Sequence, residues 1–137
     1  MIFRFAEPHE YADVLAHYKA CNYNGGLSED DTVLVAIDDD IIGAVRICSE
    51  NETKVLRGMQ IKPEYRHRGI GKQMLRHLRE HLDIKGCYCL PYTHLETFYA
   101  TIGFMKISPD DAPQFLTERL KNYLSAGYDL IIMKSSG

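Results

Sequence analysis

Arg66-His67-Arg68-Gly69-Ile70-Gly71 is the stretch on which the reading of this chain turns. A strand-like run, residues 54–61, and Pro63 precede it, and the most regular amphipathic pattern in the sequence follows it. Over residues 71–82, Met74, Leu75, Leu78 and Leu82 fall on one stripe of a helix about 18 Å long, with Arg76, Arg79 and Glu80 opposite. The first-turn N–H groups of such a helix have no partner within it, and the macrodipole adds roughly half a positive charge there. A helix start of this kind attracts phosphate, and glycines at 69 and 71 let a diphosphate reach backbone that a Cβ would screen. Taken alone, the turn fits simple helix punctuation equally well.

Two other glycine loops share the strand, glycine, helix context, and both fail here. A Walker loop needs Gly where Arg66 stands and Ser or Thr where Gln73 stands; a dinucleotide fingerprint needs a small residue where Met74 stands.

Outward from the turn the order is mixed. Residues 2–5 read as a strand, and residues 7–19 as a helix with Val14, Leu15 and Tyr18 inward. A polar loop, residues 21–31, leads to strands at 32–37, 41–48 and 54–61, with Asp38, Asp39 and Asp40 in one turn and Glu50 and Asn51 in the next. These three predict an antiparallel meander. Downstream come a strand at 87–90, a short helix at 94–101 ending at Gly103, a strand at 104–107, and a helix at 110–124 with Phe115, Leu116, Leu120 and Leu124 in register. Residues 129–134 close the chain as a strand, free to pair within the sheet or across a subunit interface in a homodimer.

At 137 residues the size predicts a single domain, 1–137. Sixteen basic against nineteen acidic side chains, a net charge of -3, give no footprint for nucleic acid. No apolar run has the length of a membrane span or a signal peptide, so a cytoplasmic protein with no membrane partner is expected. In that compartment Cys21, Cys48, Cys87 and Cys89 read as reduced thiols, Cys87 and Cys89 packing as small hydrophobes on one strand face. No metal is expected: the thiols lack a second ligand pair, and His77 and His81, four apart, read as helix surface.

The turn resembles the Q/R-x-x-G-x-G/A signature of the GNAT superfamily of N-acetyltransferases. The preceding Met59-Gln60-Ile61-Lys62-Pro63-Glu64-Tyr65 is similar to that family's fourth strand and its exit, and Phe98-Tyr99-Ala100-Thr101-Ile102-Gly103-Phe104 resembles its FY-x-x-x-GF segment. The resemblance implies an α/β (α+β) fold with a mixed, mostly antiparallel central sheet of about seven strands flanked by helices. It implies an enzyme that moves acetyl from the co-substrate acetyl-CoA directly to a primary amine on a small molecule or peptide.

By carry-over, the backbone amides of Arg66, His67, Arg68, Gly69, Ile70 and Gly71 hold the pyrophosphate. Main chain of Met59, Gln60 and Ile61 pairs with the pantetheine arm like an added strand. Tyr99 is the expected general acid, since a phenol with an ordinary pKa of about 10 can protonate a departing thiolate and stays neutral at pH ~7; Phe98 beside it is expected to face the core. Tyr92 stands where many family members have an asparagine, and the strand at 54–61 offers Arg57 and Gln60 where some have a carboxylate. No general base is therefore assigned; His94 and Glu96 are the nearest titratable groups to the second motif. Acids at Glu29, Asp30, Asp31, Asp110 and Asp111 read as solvated turns and helix starts, or as a rim for a cationic acceptor. A non-catalytic acyl-CoA sensor or interaction module is the alternative function; it would keep the glycine turn without needing Tyr99.

Overall fold

The computed structural model describes all residues, Met1 to Gly137. Seven strands and four α-helices form the mixed, mostly antiparallel α/β architecture expected, in two compact units, Met1–Leu82 and Asp83–Gly137.

In the first unit β1 (Ile2–Phe5), β2 (Thr32–Asp38), β3 (Asp40–Glu50) and β4 (Thr53–Ile61) lie in sequence order, each antiparallel to the next. Glu50 belongs to β3 and pairs with Thr53, so the turn is Asn51-Glu52. Both of its residues have positive φ, the geometry that matches a two-residue hairpin to strand twist.

Helix α1 (Tyr11–Ala20) starts later than the pattern predicts, because Pro8 opens a separate 3-10 turn, Pro8–Glu10. Glu10 ties that turn down, accepting from the Glu7 amide at 2.9 Å and from both Arg4 nitrogens at 2.7 Å. The buried stripe of α1 is Val14, His17 and Tyr18, at i, i+3 and i+4. Leu15 lies a further 100° round and is 44% exposed, which corrects its inward assignment.

Val14 and Tyr18 pack on Val33, Val35 and Ala44. Helix α2 (Ile70–His81) covers the other face, where Met74 Sδ lies against Gly43 and buries Ile70, Leu75 and Leu78 with it. Side chains alternate across a strand, so 43 and 44 necessarily serve different helices.

In the second unit β7 (Met133–Ser135) lies between β5 (Tyr88–Cys89) and β6 (Phe104–Lys106), antiparallel to both. The last strand thus finds partners within its own unit. Helix α4 (Gln114–Ser125) begins after Pro113, whose ring holds Ala112 extended, so Asp110 and Asp111 sit in a separate 3-10 turn capped by Ser108 rather than at the α4 start. Leu116 and Leu120 are buried, while Leu124, beyond them, is 47% exposed.

The four cysteines are free thiols. Cys48, Cys87 and Cys89 are buried, and burial pushes the Cys48 thiol up to about 11 and that of Cys89 well above its ordinary value. They are poor nucleophiles at neutral pH. No helix is long and apolar enough to cross a membrane.

Candidate active site

After β4 the chain makes a 3-10 turn, Pro63–Tyr65, and reaches the glycine turn with Arg66 extended, His67 at φ 64° and Gly69 at φ 77° as N-cap. Helix α2 starts at Ile70, one residue before the periodicity places it, because its ladder begins with Gln73 N–H donating to Gly69 O at 3.1 Å. The amides of Ile70, Gly71 and Lys72 therefore have no intrahelical acceptor and face out of the helix start. The Arg66 amide is engaged, donating to Pro63 O at 3.2 Å.

Nothing lies within 4 Å of where a Cβ on Gly69 would stand, so that glycine answers a backbone demand and leaves an open approach. The turn is pinned from outside as well. Tyr65 donates its hydroxyl to Asp38 Oδ2 at 2.8 Å, tying it to the β2–β3 hairpin, and the Arg68 guanidinium lies 5.3 Å from the Tyr65 ring centre. Donation to Asp38 raises the Tyr65 pKa.

Strand β4 carries a bulge that the sequence reading did not find. Ala44 pairs with Gln60 but Arg46 with Arg57, so Val45 alone faces both Gly58 and Met59. Gly58 takes φ +67°, the left-handed geometry that lets a strand swallow an extra residue. A glycine inside a strand-like run is the signal that could have revealed it.

Lys62 N–H donates to Ile42 O at 2.8 Å, and since antiparallel pairs alternate, Gln60 also turns its peptide groups toward β3. Ile61, and Met59 by alternation, turn theirs away. The Ile61 carbonyl already accepts from Arg66 Nε at 2.9 Å, so the first arginine of the turn clamps the end of the strand it leaves. Of the three residues expected to present backbone to a ligand arm, Met59 and the Ile61 amide have the outward orientation.

His17 of α1 lies 2.9 Å from the Gln60 carbonyl through Nε2; a carbonyl only accepts, so a neutral ring carries its proton on Nε2. Burial lowers the His17 pKa. The unfolded chain, with an imidazole pKa of about 6.5, takes up a proton that the folded chain resists. Stability is accordingly lost as pH falls through about 6.5 toward the lower folded value. The urea midpoint is expected to drop between pH ~7.5 and ~5.5, and to drop less in His17→Gln; equal slopes would mean another group carries the effect.

Beneath the bulge sits a buried charge. Arg46 is 2% exposed, its Nε 3.6 Å from Asp31 Oδ2 and its guanidinium carbon 5.4 and 5.5 Å from the rings of Tyr18 and Tyr23. Asp31 is buried too and accepts from the Ser28 amide at 2.9 Å, so it is an internal counter-ion, unlike the exposed Glu29 and Asp30. Across the strand Arg57 meets Glu50 at 3.0 Å. Two arginines directly opposite repel, and each has its own carboxylate to offset this.

In the second unit, the 3-10 turn Thr93–Leu95 and helix α3 (Glu96–Ala100) carry the second motif. Tyr99 is buried and Phe98 only half-buried, the reverse of the expected inward Phe98. The inward stripe of this short helix runs through Tyr99 and Ile102, three residues apart, and Phe98 falls beside it. The Tyr99 ring meets Phe98 and Phe104 edge-on, with centroids 5.1 and 6.1 Å apart. His94 is exposed and stacks on Tyr92 at 5.7 Å, and Glu96 opens α3 half-buried.

His77 and His81 stack on each other at 4.0 Å, with Phe3 and Phe5 against His77. No group of three His, Cys, Asp or Glu side chains is arranged to hold a metal ion.

Comparison with known proteins gives this geometry a family. Residues 29–106, more than half of the chain, match the model of the acetyltransferase (GNAT) domain. Among solved structures, N-acetylglutamate synthase from Neisseria gonorrhoeae, complexed with coenzyme A and N-acetyl-glutamate, superposes with a TM-score of 0.61 at 17% identity over 100% of this chain and 36% of its own. The chain thus spans about a third of that enzyme's length. A GNAT-family acetyltransferase from Staphylococcus aureus has a TM-score of 0.65 at 15% identity, covering 99% of this chain and 100% of its own. The PaiA N-acetyltransferase from Thermoplasma acidophilum, in complex with coenzyme A, has 0.63 at 18% over 98% and 99%. At these identities the structures establish the fold, and the domain match establishes the family: the chain belongs to the GNAT acetyltransferases.

Proposed function

We propose that this chain transfers an acetyl group from acetyl-CoA directly to a primary amine. The single observation that carries the donor assignment is the α2 start, where Gly69 opens a space and the Ile70, Gly71 and Lys72 amides converge without intrahelical partners. A diphosphate with its negative oxygens fits such a terminus. His67, Arg68 and Gly69 complete the cradle, and Arg66 serves it by holding Ile61 rather than through its own amide. The pantetheine arm lies along the outward backbone of Met59 and Ile61, with Gln60 between them held to β3 and to His17. Coenzyme A in the Neisseria and Thermoplasma structures is in keeping with this reading.

In the transfer, the lone pair of a neutral amine attacks the thioester carbonyl carbon. The C–N bond forms, the C–S bond breaks, and the thiolate takes the Tyr99 phenolic proton while the amine's surplus proton passes to water, which then restores the phenol. The products are the acetamide and free CoA.

The test is acetyl-CoA binding by thermal shift, followed by release of free thiol across an amine panel. Gly71→Glu, which adds bulk and a like charge at the second residue of α2, is expected to weaken acetyl-CoA binding at least ~100-fold. Unchanged binding in that variant would sink the donor assignment. Tight binding with no turnover on any amine would instead identify an acyl-CoA sensor.

A further inference from the structure

The cluster beneath the β4 bulge has more donors than acceptors. Arg46 Nε and Nη1 and the Tyr18 hydroxyl are buried without a hydrogen-bond partner, although Asp31 balances the charge from 3.6 Å. A buried polar group left unpaired is costly, so a folded protein rarely keeps three together without a use for them. Burial also raises the Tyr18 pKa, which keeps its hydroxyl a donor.

Two of these groups, Arg46 Nη1 and the Tyr18 hydroxyl, meet at one place. A Cβ built on Gly58 would land on Arg46 Nη1 and the Tyr18 hydroxyl, so the donors press against the bulge itself. Gly58 immediately precedes Met59, Gln60 and Ile61, the stretch assigned to the pantetheine arm. An incoming group that satisfies such a cluster must bring oxygens; an ammonium, which only donates, cannot.

Tyr23 is one of the side chains packed over this cluster. Tyr23 stacks on Tyr18 with centroids 4.7 Å apart and lies over Arg46 at 5.5 Å. It rises from the loop before Asp31, folded back against Gly25, and is itself half-buried. Its backbone is anchored by donation to Tyr18 O at 2.9 Å.

We propose that Arg46 and Tyr18 form a carboxylate subsite for the acceptor, uncovered when Tyr23 swings aside, and that the acceptor is an amino acid. Its amine would reach the thioester while its carboxylate takes the Arg46 Nη1 and Tyr18 donors. The proposal rests on the pantetheine arm lying along β4, and the test separates the two. Free amino acids and their matched C-terminal carboxamides are titrated into the protein, without and with acetyl-CoA, and acetyl-CoA binding is measured on its own.

Wild type is expected to bind and turn over an acid at least ~10-fold better than its carboxamide. Tyr18→Phe keeps the ring stack; it is expected to raise KM for the acid about 10-fold and that for the carboxamide by less, narrowing the preference, with acetyl-CoA binding measured separately. Arg46→Lys, checked for folding by circular dichroism, is expected to abolish the preference. Equal use of acids and carboxamides, or a Tyr18→Phe variant altered in stability alone, overturns the subsite and leaves a structural ion cluster. Loss of acetyl-CoA binding with the acid preference intact overturns the donor reading and leaves the subsite standing.

Discussion

Gly58→Ala is expected to lower the unfolding free energy by about 2–5 kcal/mol, one of the two largest effects among single substitutions in the site. Two costs combine. At φ +67° an L side chain meets the carbonyl clash of the left-handed region, roughly 1–2 kcal/mol. The new methyl also lands on Arg46 and Tyr18, both almost wholly buried, and forcing a methyl into packed interior costs about 1–3 kcal/mol more. Gly69→Ala is the internal control, since Gly69 has φ +77° with nothing within 4 Å of the Cβ position. It should show the backbone cost alone, roughly 1–2 kcal/mol. Urea denaturation of both variants decides: equal losses would mean that φ, not the packed arginine, makes Gly58 necessary. Activity is expected to fall in Gly58→Ala even where the protein stays folded, because the bulge sets how Met59 and Ile61 present their peptide groups.

The contrast between these glycines explains what the sequence could disclose. Gly69 sits at a joint between a β run and an amphipathic helix, and both neighbours announce themselves by local periodicity, so the turn and α2 were legible within one residue. Gly58 does its work in register, a relation between two strands, and register is set by pairing that no single segment encodes. Arg46 was hidden for the same reason. It stands in an apolar run, Ile41 to Cys48, where it reads as an interruption; its meaning lies in Asp31, Tyr18 and Tyr23, which reach it from another strand end, a helix and a loop. The reversal of Phe98 and Tyr99 has a different cause. In a helix of five residues, neighbouring positions differ by 100°, and too few turns exist for the apolar stripe to fix its phase.

Tyr99→Phe is expected to cut kcat by about 10²–10⁴-fold, the range that one positioned proton donor contributes. The substitution is informative because it removes one oxygen and leaves the ring in place. Phenylalanine keeps the edge-on ring contacts with Phe98 and Phe104, so the variant is expected to stay folded, losing at most about 1–3 kcal/mol, what one buried hydroxyl can carry. KM for acetyl-CoA should stay within about twofold, since the hydroxyl acts when the thiolate leaves and adds little to ground-state binding. A stable variant with normal donor affinity and poor turnover therefore isolates the proton transfer. The alkaline limb of the wild-type pH profile, where a phenol would lose its proton, should disappear in the variant. Full activity in Tyr99→Phe would mean that water protonates the leaving thiolate and that Tyr99 is a packing residue of the second unit. Loss of kcat together with lowered stability would trace the effect to the buried position of Tyr99 unless the protein that remains folded has also lost the alkaline limb, which packing alone would not remove.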